Sequence, residues 1–382
     1  MTKQNILLAI EAMSELDEMA SAATKYGYSL RVLAENPNHY GDTCAEIVKF
    51  PTRDRAQLEN YVKENQSSIA QVFSVTDTWG VIASTMRDSF GYYQFSDTSK
   101  LKFFRDKESV QQKLISSGLA STSQDWPKII KPRGGTGKIG IHLVESEAEM
   151  SAFSSEAELH LEDYLEQDFY FGPTYSAEVW RDGSSEILFG ITNRILSQPP
   201  FFTERVKSFP WDAFSPWEKD VENWVFDILR ALDYDLGLAH IEFIETATGF
   251  ELVEINARMA GALITPGILK TTNFNPYAMA VNQALGAPLD SPTHREIKGG
   301  FSHVSLYASQ TGTLDSVQGI ENIKRYPGNP EWFPLRNQGD IITEVGTYRS
   351  RIGNLCATAK TASLAQDRAI CAAQSIKMTI LA

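Results

Sequence analysis

His240-Ile241-Glu242-Phe243-Ile244, a turn through Ala247, Thr248 and Gly249, then Phe250-Glu251-Leu252-Val253-Glu254-Ile255-Asn256-Ala257-Arg258 reads as a β-hairpin. Both arms are rich in β-branched and aromatic residues, and the Thr/Gly turn bounds them. Side chains alternate along a strand, so Glu254 and Asn256 share one face, and Arg258 extends it if the strand continues. Glu242 meets them across the hairpin if it points to the same side. Two carboxylates, an amide oxygen and a guanidinium then converge on one spot. Hard oxygen donors suit Mg²⁺, which keeps waters and takes further ligands from substrate phosphates. The competing reading is an exposed sheet face laced with ion pairs. Asn inside an apolar strand argues against it, because Asn is a poor strand former.

The chain has 382 residues, more than one ordinary core accommodates, so two or three domains or lobes are expected. Lys plus Arg number 35 and Asp plus Glu 48, a formal charge of −13. So acidic a surface argues against nucleic acid or an anionic membrane as the main partner. It leaves room for a phosphate ligand, which needs only local positive charge. The apolar run Ile6 to Ile10 is too short for a signal-peptide core or a membrane span. Cys44, Cys356 and Cys371 form no Cys-x-x-Cys and read as reduced packing residues, which predicts a cytoplasmic protein.

Upstream of the hairpin, Asn5–Ile10, Leu30–Ala34, Ile47–Phe50 and Gln71–Val75 read as strands alternating with helical patterns. That alternation predicts a parallel, doubly wound sheet. Asp77 follows the fourth strand, where such sheets bind ligands; a helix N-cap is its competing role. Asp106-Lys107 opens a helix that stops near Gly118. Lys128-Ile129-Ile130-Lys131-Pro132 is a short strand, followed by Arg133-Gly134-Gly135-Thr136-Gly137-Lys138-Ile139-Gly140 and a strand over Ile141–Val144. A Gly-rich loop lets backbone N–H groups approach an anion. The pattern G-x-x-x-x-G-K-[ST] fails here: Pro132 stands at its first Gly, Ile139 at its Ser/Thr, and the loop leads into a strand. Thr174–Trp180 and Ile187–Thr192 pair across Asp182-Gly183. Ser215, Pro216 and Glu218 mark the start of a helix as N-cap, N1 and N3 of a capping box, and Val221, Val225, Ile228 and Leu229 are on its buried stripe. Beyond Pro292 come a strand over Phe301–Ala308, further strands, and a helix over Ser363–Ile376.

These elements, in this order, resemble the ATP-grasp superfamily, and its carboxylate–amine ligase branch of the L-amino-acid or peptide type. Ile241-Glu242-Phe243 followed by Val253-Glu254-Ile255-Asn256-Ala257-Arg258 is similar to that family's metal-binding hairpin. The Lys131 strand with its Gly loop is similar to its nucleotide lid. The resemblance implies an α/β fold, α+β in the ATP-binding part. Residues 1–98 would form an N-terminal parallel-sheet domain. Residues 99–290 would form the ATP-grasp domain, with a mobile lid over about 120–165 and a catalytic lobe over about 166–290. Residues 291–382 would form a C-terminal lobe.

The same resemblance implies residue roles. Lys107, Lys131, Gly134, Gly135, Thr136 and Gly137 would hold ATP phosphates. Tyr164 and Leu165 would read the adenine edge through their backbone, Glu162 would accept from its exocyclic amine, and Glu166 or Asp168 would take the ribose. Glu242, Glu254 and Asn256 would bind one or two Mg²⁺, for which Mn²⁺ can substitute. Glu254, Asn256 and Arg258 would be catalytic, with Arg258 on the transferring phosphoryl group. Glu178 matches a recurrent family acid near the substrate; a cross-strand ion pair is the alternative. Gln198-Pro199-Pro200-Phe201-Phe202-Thr203-Glu204 resembles a loop of the amino-acid ligases that lines the acceptor pocket. Gly261 resembles the first of a Gly-Gly pair whose second member is Ala262 here. Arg336, Arg349 and Arg351 are read either as carboxylate binders or as solvated surface.

The implied reaction joins a small carboxylate to an amine through an acyl phosphate, in the biosynthesis of a dipeptide, siderophore or other secondary metabolite. The resemblance allows a homodimer. Two alternatives share the nucleotide site: a biotin- or purine-type carboxylase that activates bicarbonate, and a non-catalytic nucleotide-binding module.

Overall fold

The computed structural model describes residues 5–13, 15–120, 123, 125–135, 139–156, 161–289 and 291–382. Four parallel strands open it: β1 (Ile6–Ile10), β2 (Ser29–Ala34), β3 (Glu46–Lys49) and β4 (Ile69–Phe73), ordered β3-β2-β1-β4. Every residue of β1 is buried, as a central strand covered on both faces requires. Helices α1 (Leu16–Lys25), α2 (Arg55–Glu64) and α3 (Asp77–Phe90) make the crossovers. The parallel α/β expectation for the N-terminal domain therefore holds. Asp77 is not the N-cap of α3; Thr76 is, and Asp77 is the first helical residue.

Helices α4 (Thr98–Arg105) and α5 (Lys107–Ser116) lead to the lid. Asp106 caps α5 by accepting from the Glu108 N–H. The lid is a three-stranded antiparallel sheet: β5 (Lys128–Pro132) lies between β6 (His142–Val144) and β7 (Tyr164–Asp168), with α6 (Glu147–Glu156) between β6 and β7 in sequence.

The body of the molecule is an eight-stranded antiparallel sheet. It comprises β8 (Thr174–Arg181), β9 (Glu186–Leu196), β10 (Glu204–Phe209), β11 (Gly237–Thr246), β12 (Gly249–Asn256), β13 (Gly300–Tyr307), β15 (Glu331–Pro334) and β17 (Arg351–Ala359). Their order is β12-β11-β8-β9-β10-β13-β17-β15. On the hairpin the alternation is clean. Ala239, Ile241, Phe243 and Ile255 pack in one apolar core with Val221, Val225 and Ile228 of α7 (Pro216–Ala231). His240, Glu242, Glu254 and Asn256 take the other face. The Ser215 cap accepts from the Glu218 N–H, as expected. The Glu218 carboxylate does not close the capping box; it accepts from the Phe214 N–H and pairs with Arg295.

Two features go beyond the expectation. β13 pairs directly with β10, so the C-terminal lobe continues the eight-stranded sheet. An unpaired β10 edge would expose a row of backbone donors and acceptors, and β13 covers it. The Gln198–Glu204 loop ends one residue early, with Glu204 opening β10. Helices α8 (Ile264–Thr271) and α9 (Pro276–Leu285) were unexpected. Pro266 and Gly267 hide α8, whereas Asn275 as cap and Pro276 at N1 do signal α9. Both helices pack into the core of the N-terminal sheet, and the Gln71 side chain donates to the Ala284 carbonyl across that join.

The remaining strands, β14 (Gly312–Gln318), β16 (Ile341–Ile342) and β18 (Lys377–Leu381), form a small antiparallel sheet. Helix α10 (Ala362–Ala373) covers the far face of β13 and β17. Cys356 is buried, but Cys44 and Cys371 are exposed and do not pack; all three are free. Among the described residues no helix is long and apolar enough to cross a membrane.

Candidate active site

Glu242 and Glu254 are direct partners in the β11–β12 ladder, and His240 stands opposite Asn256. The short turn sets that register, and period two turns all four toward one side. The chain already places its own cations on the acids. Lys107 Nζ lies 3.3 Å from Glu254 Oε2, and Arg194 Nη1 lies 2.5 Å from Glu242 Oε2. The Asn256 amide donates to Glu254 Oε1 at 3.0 Å, while its oxygen accepts from Arg258 at 3.4 Å. As placed, Asn256 offers nitrogen to Glu254, so acting as an oxygen donor there requires its amide to turn over. Among the described residues no set of three His, Cys, Asp or Glu forms a metal cluster. Two opposed carboxylates fit a hard cation whose remaining ligands come from phosphate and water.

The lid supplies the second wall. Lys131 Nζ donates to Gln167 Oε1 at 2.7 Å and to the Val253 carbonyl at 2.9 Å. Burial pushes the Lys131 ammonium down to about 8, against the pull of Glu254 and Glu242. The Gln167 amide donates to the Leu252 carbonyl and ties lid to hairpin. Gly135 has φ +126, a conformation open to glycine, and its carbonyl accepts from Lys107 at 3.4 Å. Gly134 lines the same cleft. Thr136 and Gly137 lie outside the described residues. Leu165 stands opposite Lys131 in the ladder and is buried, and Pro132 pairs with Tyr164. Glu162 is exposed in the short turn that precedes β7.

Glu166 and Asp168 are placed differently from expectation. Lys131 and Gln167 share the cleft face, so the alternate residues Glu166 and Asp168 fall on the other face of the lid. Asp168 is also spent, accepting from Lys128 Nζ at 2.5 Å and from the Ser123 N–H. Gln167, which the sequence reading passed over, is the β7 polar side chain on the cleft side. Gln111 was missed as well. Its Oε1 is buried without a partner among the described residues, and it lines a crevice with Leu165, Gln167 and Val253. A lone Gln on a helix carries no local signal that separates it from surface.

Arg258 extends the polar face and reaches in three directions. Nε donates to Asp77 Oδ2 at 2.6 Å, Nη1 to the Met259 carbonyl at 2.7 Å, and Nη2 to Asn256. Burial opposes the charge, but Asp77, then Glu254 and Glu242, hold the Arg258 pKa above its ordinary value. Asp77 thus fixes the guanidinium from the N-terminal domain. Asp77→Asn keeps the shape and loses the charge-assisted bond, which corresponds to about a tenfold fall in kcat. Steady-state kinetics should show that fall with KM for ATP within about threefold of wild type; an unchanged kcat rules the positioning role out.

Glu178 does not line the cleft. It is 2 % exposed, opposite His240 in the ladder, and accepts from Ser176, Thr192 and His240. The cross-strand pairing is the one the structure adopts: Glu178 binds His240 and lies off the cleft. Burial works against the His240 charge, but Glu178 and Glu242 raise its pKa to about 9. Glu178 remains lowered despite burial, chiefly through His240.

A cleft of about 330 Å³ joins these parts, lined from the lid by Lys131, from the hairpin by Glu242, Glu254 and Arg258, and from the C-terminal lobe by Tyr307 and Arg351. Glu204 and Gly261 line it too. Ala262, where the resemblance has glycine, sits at φ +50, and Leu263 at +66. The turn needs left-handed backbone, which explains a glycine preference there. Of the three C-terminal arginines, Arg351 alone lines the cleft; Arg349 pairs with Glu344, and Arg336 donates to the Arg349 carbonyl.

Residues 304–380 match the family described as L-amino acid ligase C-terminal domain 2. Over 100 % of both chains, the structure is similar to the L-amino acid ligase from Bacillus licheniformis, with TM-score 0.84 and 15 % identity. It is similar to phosphoribosylglycinamide synthetase from Anaerococcus prevotii, with TM-score 0.72 and 14 % identity over 99 % of this chain and 100 % of that one. It is similar to the biotin carboxylase domain of Hydrogenobacter thermophilus 2-oxoglutarate carboxylase, solved with MgADP and bicarbonate. There the TM-score is 0.74 and the identity 15 %, over 99 % of this chain and 91 % of that one. The uncharacterized protein y4rH of Sinorhizobium fredii (strain NBRC 101917 / NGR234) is 25 % identical over 376 residues, 91 % of this chain and 77 % of that protein. The fold is shared with these proteins, and the match over 304–380 agrees with the resemblance to the L-amino-acid branch.

Proposed function

We propose that this chain is an ATP-dependent carboxylate–amine ligase that forms an amide bond through an acyl phosphate. One observation carries the reading. Opposed Glu242 and Glu254, Lys107, Lys131 and Arg258 converge on one cleft that runs on into a C-terminal lobe of the amino-acid-ligase kind.

The residues divide the work. Lys131, anchored by Gln167 and the Val253 carbonyl, and Lys107, held between Glu254 and the Gly135 carbonyl, receive the ATP phosphates. Leu165, Gln167 and Gln111 border the crevice beside Lys107 that suits the base. Glu242 and Glu254 would hold Mg²⁺. When bound, it neutralises charge on the β- and γ-phosphate oxygens. A substrate carboxylate oxygen bonds to the γ-phosphorus as its bond to the β-phosphate oxygen breaks, releasing ADP. The amine nitrogen then bonds to the acyl carbon, the carbon–oxygen bond to phosphate breaks, and the amine gives up a proton. Arg258 donates to charge developing on the phosphoryl group, and its fixed geometry means little reorganisation in the transition state. Closure of the lid onto the hairpin excludes water from the intermediate.

Lys131 gives the site a pH signature. Its lowered pKa of about 8 means the free enzyme loses this charge as pH rises through 8, while bound phosphate favours the protonated form. KM for ATP should therefore be flat below pH 7 and rise about tenfold by pH 9, up to a factor of ten per unit. A KM that is constant from pH 7 to 9.5 removes Lys131 from phosphate binding.

The deciding experiment is a phosphate-release screen of paired amino acids and small di- and tricarboxylates with Mg-ATP, followed by product mass. An amide product supports the ligase. Phosphate release that requires bicarbonate, with no amide, assigns the chain to the carboxylase chemistry named for its structural relative. No ATP turnover with any pair or with bicarbonate overturns the enzymatic reading.

A further inference from the structure

Behind Glu242 a chain of buried polar groups crosses three neighbouring strands. Thr192 of β9 stands opposite Ser176 of β8, Ser176 opposite Glu242 of β11, and Glu178 of β8 opposite His240 of β11. Side chains alternate along each strand, so all five share one side of the sheet. Ser176 Oγ and Thr192 Oγ1 donate to Glu178 Oε1 at 2.8 and 3.0 Å. His240 Nδ1 lies 2.8 Å from Glu178 Oε2, and its Nε2 lies 3.2 Å from Glu242 Oε1. Glu178 is 2 % exposed and His240 4 %. The second Glu242 oxygen faces Arg194.

Stability does not call for this chain, because well-packed apolar residues in place of a buried ion pair are often as stable or more so. Nor is His240 placed to take a proton from a substrate. Each ring nitrogen meets a carboxylate oxygen, and ionised carboxylates only accept, so both nitrogens donate. What the arrangement fixes is an orientation. The imidazole tilts only by breaking its bond to an acid that two hydroxyls brace, and Glu242 is gripped at both oxygens by buried groups. Glu254, its partner across the hairpin, has the looser hold. Lys107 at 3.3 Å and the Asn256 amide at 3.0 Å attend it, and its side chain is 24 % exposed against 11 % for Glu242.

We propose that His240, braced by Glu178, is the positioning residue that sets the Glu242 carboxylate for Mg²⁺. The inference rests on the reading of Glu242 as a metal ligand and deepens it. A group that orients a ligand without touching the metal typically changes metal affinity by about 10- to 100-fold. Glu178 lies off the cleft and acts on the metal only through the imidazole.

The test replaces the two ring nitrogens by single amides. An Asn amide nitrogen reaches the place of Nδ1 and keeps the bond to Glu178; a Gln amide nitrogen reaches the place of Nε2 and keeps the bond to Glu242. Mn²⁺ is the probe, titrated into the full chain saturated with a β,γ-imido ATP analogue and followed by EPR of the free ion. No turnover is needed, so the result stands apart from the phosphate-release screen. His240→Asn should raise the Mn²⁺ Kd by at least about tenfold, while His240→Gln stays within about threefold of wild type. Melting temperature should run the other way. His240→Gln takes a donor from the more deeply buried acid and should lose the more stability, whereas a merely structural histidine would move both measurements in the same order. Glu178→Gln should raise Kd by about tenfold, and it decides the matter if His240→Asn does not fold. Equal shifts in the two histidine variants, a larger one in His240→Gln, or a Glu178→Gln Kd equal to wild type overturns the positioning role. If wild type binds Mn²⁺ no better than the analogue alone does, the metal reading of the hairpin fails and the positioning role goes with it.

Discussion

Glu254→Gln is expected to lower kcat for ADP formation by at least about 10³-fold, the scale at which a group stabilising charge in a transition state acts. The substitution is nearly isosteric, and the new amide oxygen can still accept from Asn256 at the position of Glu254 Oε1. What it removes is one of the two opposed negative charges that would hold Mg²⁺ against the phosphates. The fold should not notice. Lys107 and Glu254 are 3.3 Å apart and partly open to solvent, at 14 % and 24 % side-chain exposure. Such a pair contributes about 0–1 kcal/mol, so the melting temperature should stay within about 3 °C of wild type. Calorimetry and coupled ADP assays on one preparation check both halves. Near-normal turnover would end the assignment of this hairpin, and a collapsed melting temperature would make the loss uninformative about chemistry.

Arg258→Lys should be almost as damaging, although the charge survives. Arg258 points its Nε at Asp77, one terminal nitrogen at the Met259 carbonyl and the other at Asn256. A lysine has one nitrogen on a flexible stem and cannot meet three partners in one plane. We expect kcat to fall by about 10²–10³, the range seen when one fixed donor to a developing oxyanion is lost. KM for ATP should move by less than about threefold, since on the proposed reading Lys107 and Lys131 carry the nucleotide. Full activity in the lysine variant would mean that charge alone matters and that the network through Asp77 is ornamental. The milder Asp77→Asn loss anticipated above should then vanish too, and the two variants test one idea from both ends of the same bond.

The legible part of the site is the part built locally. Glu242 opposite Glu254 follows from two short strands, a tight turn and a period of two, all within residues 240–258. The lid strand carrying Lys131 and the capped start of α5 at Lys107 were legible for the same reason. Asp168 and Glu178 were misplaced because their roles depend on a neighbour. The face of β7 that looks into the cleft is set by its pairing with β5, and Glu178 turns to His240 because β8 lies beside β11. The union of the C-terminal lobe with the catalytic sheet was hidden as well, since nothing local in β10 says which strand will cover its edge.

By itself, the sequence determined the strand–helix alternation of the first lobe, the acidic hairpin, the lid and the order in which they come. Each rests on hydrophobic period, turn chemistry and capping, which act between residues a few positions apart. Tertiary structure alone decided that Asp77 would hold Arg258, that Gln167 and not Asp168 would share the Lys131 face, and that Lys207 would stand opposite His303. Those contacts join segments tens to hundreds of residues apart. Their register comes from how whole sheets and helices pack to bury apolar surface and pair backbone groups, and no short window of sequence encodes that outcome.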